Sequence, residues 1–344
     1  MDPGKQSFAL CAIPGDGVGQ EVIPAALEIL LAFLPGLTVI HADAGWETFQ
    51  KGGNATPSET LDAIRSSRAA LFGAVSSPSK KVDGYHSTIL TIRKKLGLRA
   101  NIRPIDGRWA NESRPDIRFV VVRENSECLY VGRERSDGET AIAERVITRE
   151  ASENIGRVAL DVARRYRLPR ITIVHKANVL PVTDGLFRDS ARRALQQEMN
   201  SDDAISIDEM LVDVAALRMV SEPERFGVIV TTNVFGDILS DVGAHWCGGL
   251  GVAPSINLGD NIAVAEPVHG SAPDIAGQQL ADPTAAVLST ALLCRFHWQL
   301  PEVAHRIEQA VIASRPQLLR RDTGLLRTPE ITKAILDEVR SVSV

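Results

Sequence analysis

The segment FGDILSD contains two aspartates, Asp237 and Asp241, that are four residues apart. On a helix this spacing places both carboxylates on one face, about 40° apart around the axis. Two carboxylates so placed repel each other unless a cation lies between them. Oxygen ligands favour magnesium or manganese over zinc. The spacing therefore indicates a metal site, and acidic residues near the start of a helix, where the helix dipole favours them, are an equal alternative.

A third carboxylate and three arginines could complete a site for an anionic substrate. Asp213 lies in the apolar segment MLVDVAA, where we expect either a cationic partner or a solvent-exposed helix face. The arginines Arg93, Arg103 and Arg123 occur in TIRKK, ANIRP and VVREN. Guanidinium groups bind carboxylates through paired hydrogen bonds, so three of them could hold a dicarboxylate. For any one of these arginines taken alone, a surface ion pair is the better explanation.

Two further side chains could transfer protons. Lys176 follows the apolar run ITIVH, where removal from water favours the neutral, basic amine. A lysine that extends its amine into solvent is an equal alternative. Tyr130 follows a predicted strand in RENSECLY, where a purely structural tyrosine would also fit.

The segment EPVHGSAPDIAGQQLADPTA predicts a loop and then a short helix that begins near Pro273. Backbone N–H groups around Gly270, Ser271 and Ala272 could bind phosphates at such a helix start. Asp274 could accept hydrogen bonds from ribose hydroxyls.

The order of apolar and polar segments predicts an α/β sheet. The opening segment FALCAIPGDGVGQEVIPAALEILLAFL reads as a strand, a turn and a helix. The dinucleotide pattern GxGxxG fails because Gln20 occupies its third glycine position, so Gly15, Gly17 and Gly19 predict a tight connection instead. In TPSETLDAIRSS we predict a helix with Ser58 as its N-cap. The runs AALFGAV, RFVVVREN, ITIVHKANV and FGVIVTTNVFGD predict strands with functional residues at their ends.

Composition excludes several classes of protein. A chain of 344 residues usually divides into two domains. The net charge of −5, with charges interspersed, argues against a nucleic acid or an anionic membrane as the main partner. Four cysteines without a CxxC pair indicate neither a zinc knuckle nor a disulfide framework. Because a signal-peptide pattern and a long apolar stretch are both missing, we expect a cytoplasmic protein.

Six segments together resemble the β-decarboxylating dehydrogenase family of isocitrate, 3-isopropylmalate, homoisocitrate and tartrate dehydrogenases. In family order they are PGDGVGQEV, RKKLGLRANIRP, VVRENSECLY, VHKANVLPVTDGLF, TTNVFGDILSD and EPVHGSAPDIAG. The phrases DAGWETF, GAVSSPSKKVDGY, ECLYV and HKANVLPVTDGLF are most similar to homoisocitrate dehydrogenases. Departures from the family pattern are Arg99 in place of an aromatic residue, Asp282 in place of asparagine, and RRDTGLLRTPE in place of TPDLGG.

The resemblance implies oxidative decarboxylation of a 3-substituted malate with NAD and Mg²⁺ or Mn²⁺. Homoisocitrate, which would give 2-oxoadipate and CO₂, is the leading substrate. The alternatives are 3-isopropylmalate, isocitrate, tartrate, D-malate and a related 2-hydroxy acid of specialised metabolism. Lys176, with Asp213, would take the hydroxyl proton as hydride leaves C2, and Tyr130 would protonate the enol carbon. The implied site residues are Ser87, Arg93, Arg103 and Arg123 for substrate; Asp213, Asp237 and Asp241 for metal; and Asn178, Asn233, His269, Gly270, Ser271, Ala272, Asp274, Ile275 and Asp282 for cofactor.

The resemblance also implies an isopropylmalate-dehydrogenase-like two-domain fold, with a large twisted mixed sheet flanked by helices, that is not a Rossmann fold. Residues 1–102 and 255–344 would form a cofactor-side domain, and residues 103–254 a domain that makes the dimer interface. A homodimer, or alternatively a tetramer, would share its sites, with Lys176 and Asp213 supplied by the neighbour. A non-catalytic regulatory subunit is the competing function, and it is disfavoured because the five residues expected to perform the chemistry are all present.

Overall fold

The computed structural model describes residues 7–80, 82–110, 114–319 and 326–341. Strands and helices alternate along most of this part of the chain, as the sequence predicted. The strands are β1 (Ala9–Gly15), β2 (Thr38–His41), β3 (Ala69–Ala74), β4 (Ala100–Asp106), β5 (Arg118–Glu124), β6 (Glu134–Ser136), β7 (Ala141–Ala143), β8 (Arg170–His175), β9 (Ser206–Leu211), β10 (Val228–Thr231), β11 (Pro254–Leu258) and β12 (Ala263–Pro267). The helices are α1 (Gly19–Phe33), α2 (Trp46–Gly52), α3 (Ser58–Ser67), α4 (Thr88–Leu96), α5 (Arg149–Tyr166), α6 (Thr183–Glu198), α7 (Val212–Ser221), α8 (Asn233–Ala244), α9 (Thr284–Leu292), α10 (Pro301–Leu319) and α11 (Thr328–Ser341).

The first of two compact units contains Met1–Gly97, Arg108–Ser113 and Gly248–Val344. Its strands lie in the order β2-β1-β3-β12-β11. Neighbouring strands are parallel except β11, which runs antiparallel to β12. Both this strand order and the antiparallel β11 differ from the Rossmann sheet, which is mostly parallel and has another strand order.

The connection between β1 and α1 is the tight turn that the sequence predicted. Gly15 and Gly17 have φ angles of +74° and +57°, which residues with a Cβ rarely adopt. A Cβ on Gly17 would also lie 2.1 Å from the carbonyl oxygen of Ser271. The same carbonyl accepts a hydrogen bond from the N–H of Val18 at 2.9 Å. The glycine turn therefore supports the segment that follows β12.

The second unit contains Leu98–Gly107 and Arg114–Cys247. Its strands lie in the order β4-β5-β10-β8-β9, with β4 antiparallel to β5 and the other pairs parallel. Residues 119–124 of β5 are all buried, as in a strand that is covered on both faces. A separate hairpin, β6 and β7, is exposed along its length.

Three neighbouring parallel strands of the second unit end at the same edge of the sheet. Arg123 of β5 is in register with Thr231 of β10, which in turn is in register with Val174 of β8. The residues that follow these strands therefore emerge side by side. The α/β fold, with a mixed sheet flanked by helices, is confirmed. The domain boundaries predicted after residues 102 and 254 stay a prediction, because compactness does not show that a unit folds by itself.

Two local predictions are wrong. Ser58 is the first residue of α3 rather than its N-cap, a position that Pro57 occupies without a side-chain cap. The helix expected near Pro273 is instead a series of turns, and the next helix is α9. Positive φ angles at Ala272, Gly277 and Gln279 interrupt the right-handed repeat that a helix needs.

Candidate active site

Arg123 is the centre of a polar cluster in the second unit. Its side chain is only 1% exposed, and its Nε and Nη2 donate to the Asn233 Oδ1 at 3.0 and 2.7 Å. Its Nη1 donates to the Oδ1 of Asp237. Gly236 allows this approach, because a Cβ there would lie 2.7 Å from the Cβ and Cγ of Arg123. The helix α8 thus packs directly on β5 and brings Asn233 and Asp237 to the arginine.

Tyr130 reaches the same aspartate from the segment after β5. Its hydroxyl donates to Asp237 Oδ2 at 2.5 Å, and the Arg123 guanidinium lies 4.9 Å from its ring centroid. Burial, followed by the hydrogen bond to Asp237, raises the pKa of Tyr130. The phenol therefore stays protonated at neutral pH, as a proton donor must.

Arg103 contacts both aspartates of α8. Its Nε donates to Asn101 Oδ1 at 2.8 Å and its Nη1 to Ser240 Oγ at 2.7 Å. Its guanidinium lies 3.4 Å from Asp237 and 3.5 Å from Asp241. Burial of the guanidinium (the side chain is 8% exposed) strengthens these charge contacts relative to those in water.

Asp237 and Asp241 can supply oxygen ligands to a metal ion. Both lie beyond the first turn of α8, so the interaction with the helix dipole does not explain them. The Asp241 side chain is 56% exposed, and its partial burial together with the charge of Asp237 raises its pKa despite the nearby Arg103. One or two carboxylates, completed by substrate and water, are the usual protein contribution to a magnesium site. The donor set therefore fits the predicted metal.

Lys176 and Asp213 form a second group. The Lys176 Nζ lies 2.5 Å from the Asp213 Oδ1, and this hydrogen bond lowers the pKa of Asp213. The Asp213 side chain is 60% exposed. Within the described part of one chain, no three acidic, histidine or cysteine side chains are close enough together to hold a metal ion. A single chain thus keeps Asp213 apart from the pair on α8.

In the first unit, Arg93 of α4 is held by an acidic residue that the sequence analysis missed. Its Nη2 donates to Glu266 Oε1 at 2.9 Å, and Asn257 Nδ2 donates to the same oxygen at 2.7 Å. Ser87 precedes α4, and its hydroxyl does not cap the helix. Because Arg103 and Arg123 belong to the other unit, the joint role of the three arginines stays a prediction.

The predicted cofactor residues fall into different environments. In the first unit, six of them lie in one loop, which Ser76 Oγ anchors by donating to Ser271 Oγ at 2.9 Å. The six are His269, Gly270, Ser271, Ala272, Asp274 and Ile275. Burial lowers the pKa of His269, and Asp274 is exposed. In the second unit, Asn178 is exposed. The carboxamide oxygen of Asn233, expected at the cofactor, is already engaged by Arg123.

Asp282, which stands where the family pattern has asparagine, is paired with an arginine of the same unit. Its Oδ2 lies 3.4 Å from Arg315 Nη1, and its Oδ1 accepts from the Thr284 N–H at 2.9 Å. The Arg315 side chain is only 7% exposed. The negative charge of Asp282 is therefore offset by an arginine on α10. Arg99, a second departure, lies 3.5 Å from Glu150, and both side chains are exposed. The third, the phrase RRDTGLLRTPE, begins with residues 320–325, which lie outside the described ranges.

Several supporting residues were missed by the sequence analysis. They are Asn101, Ser240, Gly236, Glu266 and Arg315. Asn101 could have been found, because it is two residues from Arg103 on a strand and hence on the same face. Gly236 directly precedes Asp237 in FGDILSD. Glu266 and Arg315 are far away in sequence from their partners and carry no local signal.

The chain matches the isocitrate/isopropylmalate dehydrogenase model over residues 9–339. It belongs to this family. Isocitrate/homoisocitrate dehydrogenase of Thermus thermophilus is 45% identical over 338 residues, which cover 98% of this chain and 100% of the relative. Homoisocitrate dehydrogenase of Methanocaldococcus jannaschii is 47% identical over 298 residues, or 83% of this chain and 84% of the relative. The solved isocitrate dehydrogenase from Methylococcus capsulatus gives a TM-score of 0.88 at 38% identity, covering 97% of this chain and 99% of that one.

The isocitrate/isopropylmalate dehydrogenase family consists of β-decarboxylating oxidoreductases that generally use NAD and a divalent metal. A relative of another specificity, 3-isopropylmalate dehydrogenase of Methanothermobacter thermautotrophicus, is 44% identical over 309 residues, or 89% of this chain and 90% of its own. Relatives of similar identity thus carry different substrate names. No helix in the described ranges has both the length and the apolar character that crossing a membrane requires.

Proposed function

We propose that this protein oxidises and decarboxylates homoisocitrate to 2-oxoadipate and CO₂, with NAD as oxidant and Mg²⁺ or Mn²⁺ as metal. The observation that carries the proposal is the convergence of Arg103, Arg123 and Tyr130 on Asp237. Buried guanidinium groups suit an anionic substrate, and a phenol beside a metal-binding carboxylate suits proton delivery. Two of the relatives bear homoisocitrate in their names.

The proposed reaction needs two proton transfers. One removes the hydroxyl proton during oxidation, and the other adds a proton to C3 after decarboxylation. Lys176, which can exchange protons with Asp213 across their 2.5 Å contact, would take the substrate hydroxyl proton. A bound nicotinamide would supply the oxidising power by accepting the hydride of C2. The bond from C3 to its carboxylate then breaks, and its electron pair stays on the carbon skeleton as CO₂ leaves. Tyr130 supplies the proton that C3 takes up. A bound divalent metal would act as a Lewis acid on the C2 oxygen.

A homodimer with shared sites is part of this proposal. Asp213, Leu217 and Val220 are spaced i, i+4 and i+7 on α7, so they share one helix face. Leu217 and Val220 are 65% and 60% exposed, and Ile238 of α8 is 57% exposed. Exposed apolar residues clustered in this way mark interaction surfaces. A second copy that covers this face would also enclose Asp213 and, through it, Lys176.

NAD rather than NADP is the proposed oxidant. The exposed carboxylate of Asp274 can accept hydrogen bonds from ribose hydroxyls but would repel a 2′-phosphate. We expect a preference for NAD of roughly 30-fold in kcat/KM, which corresponds to about 2 kcal/mol. Asp274→Lys with Ile275→Tyr should shift the preference towards NADP. Equal use of both nucleotides by the wild type would contradict the role of Asp274.

A second candidate substrate is 3-isopropylmalate. Leu90 lies one helical turn after Ser87 and is 40% exposed, so the two present an apolar and a polar side chain on one face of α4. The hydroxyl of Ser87 favours a polar substituent, whereas Leu90 favours the isopropyl group. Exchange of Ser87 for alanine should lower kcat/KM for homoisocitrate more than for 3-isopropylmalate.

The deciding experiment measures NADH formation from homoisocitrate, isocitrate, 3-isopropylmalate, tartrate and D-malate with NAD and Mg²⁺. We expect the highest kcat/KM with homoisocitrate, and a higher value with another acid would replace the substrate. Oxidation of none of them would overturn the function. In parallel, titration calorimetry with Mn²⁺ should show weaker binding for Asp241→Asn and no change for Asp189→Asn, a surface aspartate of α6. Full activity after thorough chelation would contradict the metal requirement.

A further inference from the structure

Asp184, the second residue of α6, is a buried carboxylate beside the Lys176 main chain. It is 0% exposed, and its Oδ2 accepts the backbone N–H of Lys176 at 2.6 Å. The carbonyl of Lys176 accepts the N–H groups of Val179 and Leu180 at 3.0 and 2.9 Å. Both polar groups of this peptide backbone are therefore fixed, while the lysine side chain extends to Asp213.

Arg145 connects this carboxylate to the start of the helix that carries Asp237 and Asp241. Its Nη2 lies 2.7 Å from Asp184 Oδ1 and donates to Thr232 Oγ1 at 3.1 Å. Thr232 immediately precedes α8, and the guanidinium also lies 4.5 Å from the ring centroid of Phe235. One arginine therefore contacts both the Asp184 carboxylate that holds Lys176 and the first turn of α8.

This ion pair is costly to bury. The Arg145 and Asp184 side chains are 13% and 0% exposed, and desolvation of two charges largely offsets their attraction. Apolar residues of similar volume would serve stability at least as well. The pair is thus poorly explained by stability alone. Beyond each other, Asp184 binds the main-chain N–H of Lys176, and Arg145 binds the hydroxyl of Thr232.

We propose that Arg145 and Asp184 are positioning residues that hold Lys176 in place for the hydride-transfer step. The inference rests on the proposed function, in which Lys176 takes the hydroxyl proton as hydride leaves, whereas Tyr130 serves the later protonation. Loss of the pair should therefore impair oxidation of the hydroxy acid. It should leave decarboxylation of the 2-oxo-3-carboxy acid, supplied directly, nearly unchanged.

The test compares Asp184→Asn, Arg145→Met and the double variant with the wild type. Each single variant leaves one buried charge unpaired and should unfold at lower temperature, whereas the double variant removes both charges and should recover stability. Asp189→Asn is the matched control, because Asp189 is also paired with an arginine on α6 but is exposed. The double variant keeps the test valid if the single variants fold poorly.

We expect the double variant to lose roughly 10- to 100-fold in kcat for oxidation, with KM for substrate within about threefold, because misplacement of about 1 Å costs that much. Decarboxylation of the 2-oxo acid should stay within about twofold of the wild type. Equal loss in both reactions, or loss in neither, would overturn the positioning role. A wild type that performs neither reaction would instead overturn the proposed function.

Amide hydrogen exchange tests the positioning role without relying on activity. The Lys176 amide and its neighbours up to Leu180 should exchange faster in Asp184→Ala, which removes the oxygen that accepts the Lys176 N–H, than in Asp189→Ala. Peptides from α5 should exchange alike in both variants. Unchanged exchange around Lys176 would show that Asp184 does not hold this segment, and would overturn the inference whatever the kinetic result.

Discussion

Gly236 shows how one hydrogen atom in place of a methyl group shapes the candidate site. In Gly236→Ala the new Cβ would lie 2.7 Å from Arg123 Cβ and Cγ, atoms too near the backbone to move aside easily. We expect a loss of about 1–3 kcal/mol in the free energy of unfolding and a matching displacement of Arg123, seen as a lower kcat/KM. Gly185→Ala on α6 is the control, because its Cβ would meet no atom within 4 Å. Equal behaviour of the two variants would contradict the packing argument.

A second single residue, Tyr130, tests the proposed protonation step. Tyr130→Phe removes the hydroxyl that donates to Asp237 but keeps the ring under Arg123. Because the phenol is needed only after oxidation, decarboxylation of the 2-oxo acid should fall roughly 100-fold or more, and hydride transfer by less than about tenfold. Both rates are measured on one preparation, with Tyr166→Phe, a buried tyrosine of α5, as control. A uniform loss in both steps would indicate a structural tyrosine.

At the scale of elements, the segment between β5 and Tyr130 is ordered around two buried carboxylates. Glu124 Oε2 accepts the Glu127 N–H at 3.1 Å, and Glu127 Oε1 accepts the Thr148 N–H at 2.8 Å. Burial, aided by the charge of Glu124, raises the pKa of Glu127 to about 7. The next residue, Cys128, has φ +70°, so this loop combines charge burial with backbone strain.

Glu127 makes the stability of this loop depend on pH. Its pKa is raised in the folded state, so its contribution to stability is complete below the unfolded pKa of 4.5 and is lost as the pH rises towards about 7. Glu127→Gln should therefore gain about 1–3 kcal/mol of stability relative to the wild type between pH 5 and pH 8. Denaturant unfolding at the two pH values measures this change. Glu139→Gln, in the exposed hairpin turn, should show no such change, and a pH-independent difference for Glu127→Gln would refute the assignment.

At the scale of the whole molecule, the exposed apolar face of α7 predicts that activity depends on assembly. Leu217→Asp places a charge in the centre of that face and should convert a dimer to monomers in sedimentation velocity. Activity should fall in proportion to the dimer fraction, because in a monomer no neighbouring subunit supplies Lys176 and Asp213 to the site. Leu250→Asp changes a leucine that is 41% exposed in the other unit, and it should leave the assembly intact. A fully active monomeric Leu217→Asp would exclude shared sites.

Local patterns in the sequence were sufficient to predict the strands, the glycine turn and the types of side chain at the strand ends. Alternation, apolar runs and positive-φ glycines depend on residues close together in the chain, so they can be read without the fold. The placement of Asp237 and Asp241 on one helix face follows from the same short range. Motif order was likewise enough to predict the family that the comparison then established.

Only the tertiary structure decided which charged groups are partners. Arg93 pairs with Glu266 across 173 residues, Arg123 with Asp237 across 114, and Arg315 with Asp282 across 33. The expected helix near Pro273 is also absent, and the loop there has positive φ angles at Ala272, Gly277 and Gln279. Distant residues bind this loop: Glu21 accepts the Gly277 N–H, and the Thr328 N–H donates to the Gln279 carbonyl. Pairings of this kind depend on burial and on distances through space, and neither is encoded in the spacing of residues along the chain.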